Sequence, residues 1–159
     1  MKTLKKGFTL LVAVLFLSAA AFGQSNKSIA QKADDLFTQK QYIAALEKYQ
    51  EAYDRVNNNK AEKNRLYFQI GECYRLMLNY PKAEHTYRRL VQVEYYTTEP
   101  KIYFYLAEMC RFDGNFNDAD TYYDKYLELV PGDKLGISRK KSLVEVTRWA
   151  NERSRHVIT

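Results

Sequence analysis

The fold is decided by a stretch in the middle of the chain, GECYRLMLNYPKAEHTYRRL, which covers residues 71–90. A small residue, Gly71, is followed by a second small residue, Ala83, and then by Tyr87. Large residues three or four positions from each small one share its helix face, as helical periodicity requires. Pro81 falls where a second helix would start, because the first turn of a helix tolerates a missing N–H group. The stretch therefore predicts two helices joined by a short turn.

The same spacing of small and large residues occurs three times, with offsets of 38 residues from position 33 to 71 and 36 from 71 to 107. The matching positions are Ala33, Leu36, Ala45, Tyr49 and Ala52; Gly71, Tyr74, Ala83, Tyr87 and Leu90; and Ala107, Cys110, Ala119, Tyr123 and Tyr126. An aromatic residue precedes the second small residue of each unit by three positions: Tyr42, Tyr80 and Phe116. A hairpin of this size cannot bury its apolar face alone, so we predict that the three stack.

A further amphipathic helix is predicted at residues 134–153, followed by a tail at 154–159. Its apolar stripe comprises Leu143, Val146, Trp149 and Ala150. The basic residues assigned to its outer face are Arg139, Lys140, Lys141 and Arg148. Because a stacked array needs an amphipathic cap with a polar outer side, we interpret these bases as a solvated face. Contact with an acidic partner, lipopolysaccharide or phospholipid headgroups is the alternative.

The repeated spacing resembles the tetratricopeptide repeat (TPR) over about residues 26–133, with units at about 26–59, 64–97 and 100–133. Departures from the family pattern are Leu90 and Tyr126, where alanine is usual, and Cys110, where tyrosine is usual. Bulk at those positions would widen local packing without changing the fold. The resemblance implies an all-α superhelical solenoid of three helical hairpins plus a C-terminal capping helix. It also implies a concave face that commonly binds peptides or protein partners.

In such repeats the first helix of each hairpin lines the concave groove. The second and third units present the same set of groove residues: Phe68, Glu72, Arg75, Phe104, Glu108 and Arg111. One hypothesis is that phenylalanines anchor a bound protein segment while arginines bind its carboxylates. The alternative is self-paired surface charge beside half-buried aromatic rings, since a Glu and an Arg three residues apart can pair along a helix.

One family function is set aside at these positions. Repeats that clamp the C-terminal carboxylate of cytosolic chaperones use Lys and Asn in the groove. This chain has Asp34, Glu72 and Glu108 where the asparagines would be. A carboxylate tail would meet like charge there, so we do not expect that ligand.

Residues 1–23 are predicted to be a secretory signal peptide. The basic start MKTLKKG precedes an apolar run from Phe8 to Leu17, and Ala21 and Gly23 suit signal peptidase with cleavage before Gln24. The run is too short for a transmembrane helix. No Cys follows the small residues, so a lipoprotein signal is not expected. We therefore expect an exported, periplasmic protein, associated with the outer membrane through a partner.

The charge of the chain is unevenly distributed. The total is +6, but residues 1–23 carry +3 and residues 134–156 carry +5, which leaves −2 for residues 24–133. The high pI is thus a property of two terminal segments, and we predict no nucleic-acid partner. A composition of 46% hydrophobic and 28% charged residues, with few Gly and Pro, disfavours disorder and turn-rich β folds.

No catalytic residue, metal site or cofactor site is predicted, and we do not expect an enzyme. The segment 113–124 bears a distant likeness to a calcium loop, but Asp118 stands at the sixth position, where the loop's sharp turn needs Gly. Cys73 and Cys110 lie one residue out of register in adjacent hairpins, which favours two buried thiols over a disulfide. His85 and His156 have no partner at a catalytic spacing.

These observations favour an exported TPR scaffold that holds a segment of an envelope protein. The segments IGECYR (70–75), YLAEMCR (105–111) and YLELVP (126–131), with the helix bearing Trp149, are similar to the N-terminal repeats of OmpA-like, PorE-like envelope proteins of bacteria with type IX secretion. Peptidoglycan binding is not carried over, because that domain would begin beyond Thr159. The alternatives are an accessory of outer-membrane β-barrel assembly and a self-assembling structural repeat; the sequence leaves the oligomeric state open.

Overall fold

The computed structural model describes residues 28–156, which form helices and connecting turns without a strand in that range. The α-helices are α1 (Ile29–Thr38), α2 (Tyr42–Arg55), α3 (Lys60–Leu76), α4 (Tyr80–Gln92), α5 (Lys101–Phe112), α6 (Phe116–Leu129) and α7 (Lys134–His156). A short 3-10 helix, Tyr95–Thr97, joins α4 to α5. The predicted signal peptide lies outside the described residues. Three helical hairpins, α1–α2, α3–α4 and α5–α6, stack in chain order, as the all-α solenoid prediction requires.

Helices α1, α3, α4 and α6 begin where the sequence supplies a capping side chain. Ser28 and Gln31 form a reciprocal capping box at α1, with Gln31 N donating to Ser28 Oγ at 3.1 Å. At α3 the cap is Asn59, whose Oδ1 accepts from Glu62 N at 3.0 Å. Helix α3 therefore starts at Lys60, four residues before the predicted start of the second unit. Asn79 and Asn115 cap α4 and α6 in the same way.

The turn inside each hairpin uses one residue in the left-handed region. Lys40, Leu78 and Gly114 have φ of 61°, 60° and 75° and hold equivalent positions in the three hairpins. Glycine adopts this conformation without a steric penalty, whereas Lys40 and Leu78 do so at some cost. The same turn thus forms three times although only the third has the favoured residue.

The predicted small-residue contacts are confirmed. Six small residues form the helix–helix contacts and are buried: Ala33, Ala45, Gly71, Ala83, Ala107 and Ala119. In the second hairpin the two helices pack closely at Gly71, where an added Cβ would lie 2.9 Å from Tyr87 Cε1. The equivalent tyrosines Tyr49, Tyr87 and Tyr123 are also buried and fill the space beside these contacts.

Helix α7 packs on α6 through fewer residues than predicted. Leu143 is buried in the third core cluster, and Gly136 gives Tyr126 room, since a Cβ there would lie 2.8 Å from Tyr126 Cε1. The predicted apolar stripe is wrong at Val146 and Trp149, which are 43% and 66% exposed. Helix α7 makes most of its contacts with α6, so one narrow face of α7 is covered. The helix also runs to His156, into the segment predicted as a tail.

Candidate functional site

The two predicted phenylalanine anchors pack within the protein. Phe68 is only 9% exposed, so its assignment as a groove anchor is corrected. Its ring lies against Tyr87 and Tyr95, with centroid distances of 6.1 and 6.2 Å. Tyr95 comes from the 3-10 helix, so the residues inserted between the second and third units cover Phe68. Phe104 is half-buried and packs against Tyr126 at 5.4 Å, which leaves part of its ring accessible.

Each groove carboxylate accepts a hydrogen bond from a tyrosine of its own hairpin. Tyr49 Oη donates to Asp34 Oδ1 at 2.7 Å. The equivalent pairs are Tyr87 with Glu72 and Tyr123 with Glu108, and all three pairs are 15 residues apart in the sequence. Sequence analysis missed these pairs, although the repeated spacing of an acid and a tyrosine was a signal that could have found them. The carboxylates therefore hold the two helices of each hairpin together.

Burial and these bonds raise the pKa of the donor tyrosines. Burial is the largest cause for Tyr49, Tyr87 and Tyr123, because a tyrosinate would be poorly solvated in the core. The facing carboxylate adds to the effect in each case, since it binds the protonated hydroxyl and repels the anion. The tyrosines therefore remain donors throughout the physiological pH range.

The predicted Glu–Arg pairs form in both repeats. Arg75 donates to Glu72 through Nε at 2.9 Å and Nη2 at 2.7 Å, a two-point contact. Arg111 Nη2 donates to Glu108 Oε2 at 3.3 Å. Glu72 is buried, so its assignment as an exposed groove residue is also corrected. The structure thus agrees with the self-paired interpretation for both carboxylates.

The arginine side chains are the charged groups of this set that remain accessible. The Arg75 guanidinium lies 4.2 Å from the Tyr105 ring centroid, and its side chain is 26% exposed. Burial lowers the pKa of Arg75, but bonding to Glu72 more than offsets this and raises it above the usual value. Arg111 is 23% exposed, and its Nε is buried without a hydrogen-bond partner among the described residues.

Asp34, the groove carboxylate of the first hairpin, pairs with an arginine of the second hairpin. Arg65 of α3 donates to Glu62 through Nε at 2.8 Å and to Asp34 of α1 through Nη1 at 3.2 Å. At the other end, Arg139 Nε of α7 lies 3.7 Å from Glu108 Oε1. The pairs Arg65–Asp34 and Arg139–Glu108 were not predicted, because each joins helices from different units. We call the row of arginines Arg65, Arg75, Arg111 and Arg139, with the rings of Phe104 and Tyr105, the concave groove.

The four predicted basic residues of α7 differ in their contacts with the rest of the protein. Arg139 faces the groove, and Lys140 pairs with Asp120 of α6 at 3.4 Å and with Asp124. These pairs raise the pKa of Lys140, although burial alone would lower it. Arg139, Lys141 and Arg148 are exposed, so three of the four predicted bases lie on an open surface, whereas Lys140 is half-buried.

The two cysteines lie in the interior of the repeats. Cys73 and Cys110 are free, buried thiols, and burial raises the pKa of Cys73 to about 12 and of Cys110 to about 11. No group of three metal-ligating side chains occurs between residues 28 and 156. None of the helices in this part of the chain has the length and apolar character that crossing a bilayer requires.

Comparison with known proteins supports the fold. No protein-family model and no curated protein sequence matches the chain. Among solved structures, the first TPR domain of Spaghetti (RPAP3), bound to the HSP90 peptide SRMEEVD, is similar, with a TM-score of 0.63 and 18% identity, covering 76% of this chain and 90% of that one. A C-terminal TPR-containing domain from a Plasmodium falciparum protein of FK506-binding type has a TM-score of 0.65 and 18% identity, covering 78% and 89%. The chain therefore has the helical-repeat fold of TPR domains.

Proposed function

We propose that this chain is an interaction scaffold whose concave groove holds a segment of a partner protein. The observation that carries this proposal is the buried Nε of Arg111, which lacks a hydrogen-bond partner among the described residues. An unsatisfied buried donor costs about 1–3 kcal/mol. A turn of the partly exposed Arg111 side chain toward a carbonyl or carboxylate of a bound segment would remove that cost. Phe104, two turns earlier on the same helix, and Tyr105, which lies against Arg75, are half-buried aromatic residues. TPR-fold proteins such as the RPAP3 domain are known to hold a peptide.

The HSP90 peptide of that domain is not carried over to this chain. Asp34, Glu72 and Glu108 are acceptors already bonded to tyrosine and arginine, and none can donate to a terminal carboxylate. The free hydrogen-bonding capacity of the groove lies in its arginines. A segment that offers backbone carbonyls or internal acidic side chains fits this arrangement better.

Photo-crosslinking in cells tests the groove. A photoreactive residue at Phe104 should capture a partner, whereas one at Thr121, exposed on α6 of the same hairpin, should not. The matched variant is Arg111→Lys, which keeps the positive charge near Glu108 but removes the Nε donor. We expect this variant to lower capture at Phe104. Equal capture at Phe104 with Arg111 and with Arg111→Lys would contradict the proposal. Capture only of a second copy of the chain would favour a self-assembling structural protein.

We further propose that the protein is exported and acts in the cell envelope. The basic and apolar start of the chain with its small residues before Gln24 supports export. The resemblance to the repeats of OmpA-like, PorE-like proteins supports a place in a type IX secretion or related outer-membrane assembly. An accessory role in β-barrel assembly is the second candidate. N-terminal sequencing of the protein from cells should find Gln24 first, and a retained Met1 would contradict export.

Anionic envelope lipid is a further proposed contact, through α7. Lys141, Arg148 and the exposed Trp149 support it, because basic residues beside an exposed indole are typical of interfacial helices. Trp149 is the single tryptophan, so its fluorescence reports on this helix alone. Vesicles rich in phosphatidylglycerol should shift its emission to the blue and neutral vesicles should not. An unchanged spectrum with both would contradict the lipid contact.

A further inference from the structure

A second concave surface lies on another side of α3. It is a cleft of about 620 Å³ between α2 and α4, floored by α3. Its α3 residues, Tyr67 and Tyr74, precede the groove residues Phe68 and Arg75 by one position each. Since successive helix residues are rotated by about 100°, the cleft and the concave groove occupy different faces of the helix. The volume lies in the range of sites that bind small ligands or short peptide segments.

Three tyrosines line the cleft, and a cation lies over each ring. Lys63 is 4.7 Å from the Tyr53 centroid, Lys82 is 5.4 Å from Tyr74, and Arg89 is 5.5 Å from Tyr67. Asp54 is the carboxylate among the lining residues. Lys82 and Asp54 balance within the lining, and Lys63 and Arg89 add two positive charges against the rings of the cleft. Acidic side chains on a bound segment would complement these two charges.

The next pair of hairpins shows what such a cleft can hold. Tyr122 of α6 precedes Tyr123, as Thr86 of α4 precedes Tyr87, so positions 122 and 86 are equivalent. The Tyr122 ring stacks on Tyr103, the counterpart of Tyr67, at 6.1 Å with an interplanar angle of 22°. Its hydroxyl accepts from Arg88 Nη1 at 2.7 Å. An aromatic ring thus fills this position between the second and third hairpins.

Between the first and second hairpins the equivalent side chain is too short to do so. Thr86 places a methyl and a hydroxyl at the cleft wall, and its Oγ1 donates to Lys82 O at 2.8 Å. Tyr74 takes up part of the space. The residue equivalent to Tyr74 in the next hairpin is the smaller Cys110. The Tyr74 hydroxyl accepts from Gln50 Nε2 at 3.3 Å, as Tyr122 accepts from Arg88. Even with Tyr74 in place, the cleft remains open.

We propose that this cleft binds an aromatic side chain presented by an acidic segment of a partner protein. The ring inserts beside Tyr67 and Tyr74, in the place that Tyr122 fills between the next hairpins. Acidic residues on either side of the ring lie near Lys82, Arg89 and Lys63. The site is separate from the concave groove and does not depend on the function proposed for it.

A pair of synthetic peptides tests the proposal: acetyl-Asp-Glu-Tyr-Glu-Asp-amide and the same peptide with alanine for tyrosine. NMR titration of the purified chain should show saturable shifts at Tyr67, Tyr74 and Thr86 with the tyrosine peptide. Burying an aromatic side chain contributes a few kcal/mol, so the alanine peptide should bind at least about tenfold more weakly. Equal shifts with both peptides would overturn the role of the ring. Shifts centred on Phe104, or none at millimolar peptide, would overturn the site.

Two variants locate the binding. Thr86→Tyr fills the cleft as Tyr122 fills its counterpart and should abolish the shifts, whereas Thr121→Tyr adds the same ring on α6 outside the cleft and should not. Thr86 is buried, so helical circular dichroism must first show that Thr86→Tyr is folded. Lys82 is exposed, so Lys82→Glu reverses one charge at the cleft without disturbing the core. This variant should weaken binding about fivefold. Unchanged affinity in Lys82→Glu and in a folded Thr86→Tyr would refute the proposal.

Discussion

Removing one tyrosine hydroxyl from each hairpin should destabilise the protein by three different amounts. The substitutions are Tyr49→Phe, Tyr87→Phe and Tyr123→Phe, and each deletes the donor to a groove carboxylate without shortening the ring. The carboxylates differ in side-chain exposure, which is 45% for Asp34, 10% for Glu72 and 17% for Glu108. Because water can replace the lost donor only at an exposed carboxylate, the cost depends on this exposure.

The magnitudes follow from the value of a hydrogen bond to a charged group. Such a bond contributes about 1.5–3 kcal/mol when the acceptor is buried. Tyr87→Phe should therefore lower the free energy of unfolding by about 2–3 kcal/mol, and Tyr123→Phe by about 1–2 kcal/mol. At Asp34, water and Arg65 continue to solvate the carboxylate, so Tyr49→Phe should cost less than about 1 kcal/mol.

Urea unfolding followed by helical circular dichroism measures the three free energies. The slope with urea should stay constant across the variants, because the surface exposed on unfolding hardly changes. The order of the losses is the test, since all three variants remove the same hydroxyl. Equal losses, or the largest loss in Tyr49→Phe, would refute the assignment of the bonds as buried links between helices.

Three other measurements test separate features. Leu78→Gly should raise the free energy of unfolding by about 0.5–1 kcal/mol, because Leu78 is exposed and has a φ of 60°. Denaturant unfolding measures this change, and a lower free energy of unfolding in the variant would contradict strain in the turn. Cys73 and Cys110 should react slowly with an aromatic disulfide reagent until urea unfolds the chain, because burial raises both thiol pKa values; fast native labelling would disprove their burial. Stability should fall above pH 10, because burial, with Asp133 as acceptor, raises the pKa of Tyr126 to about 12 while an unfolded tyrosine loses its proton near pH 10. The part of the tyrosinate absorbance that comes from buried tyrosines should then rise together with the loss of helix. Ionisation of all the tyrosines while the helices remain folded would contradict this.

The hairpins could be predicted from the sequence because their contacts are local and repeated. Ala33, Gly71 and Ala107 are each followed by a buried small residue twelve positions later, so one pattern reports the same helix packing three times. The turn that joins the helices, with Lys40 or Leu78 in a left-handed conformation, was not predictable from residue type. It follows from the short distance between the helices it connects.

The groove could be predicted in place but not in detail. Arg75 and Arg111 pair with glutamates three residues away, which helical geometry alone permits. The burial of Phe68 depends on Tyr95, which lies in the insertion between units and outside the repeat pattern. The contact of Arg139 with Glu108 depends on how α7 packs on the third hairpin, which a single helix pattern does not specify.

The charge balance distinguishes the two proposed surfaces. In the concave groove Arg65, Arg75, Arg111 and Arg139 are offset by an equal number of carboxylates: Asp34, Glu62, Glu72 and Glu108. A partner there gains little from its own net charge, so recognition depends on the directed donors of the arginines and on the rings beside them. The cleft has three cations around its tyrosines and one lining carboxylate, and its attraction for an acidic segment is long-ranged and weakened by salt. Because α3 contributes different faces to the two surfaces, one scaffold could hold two partners at once.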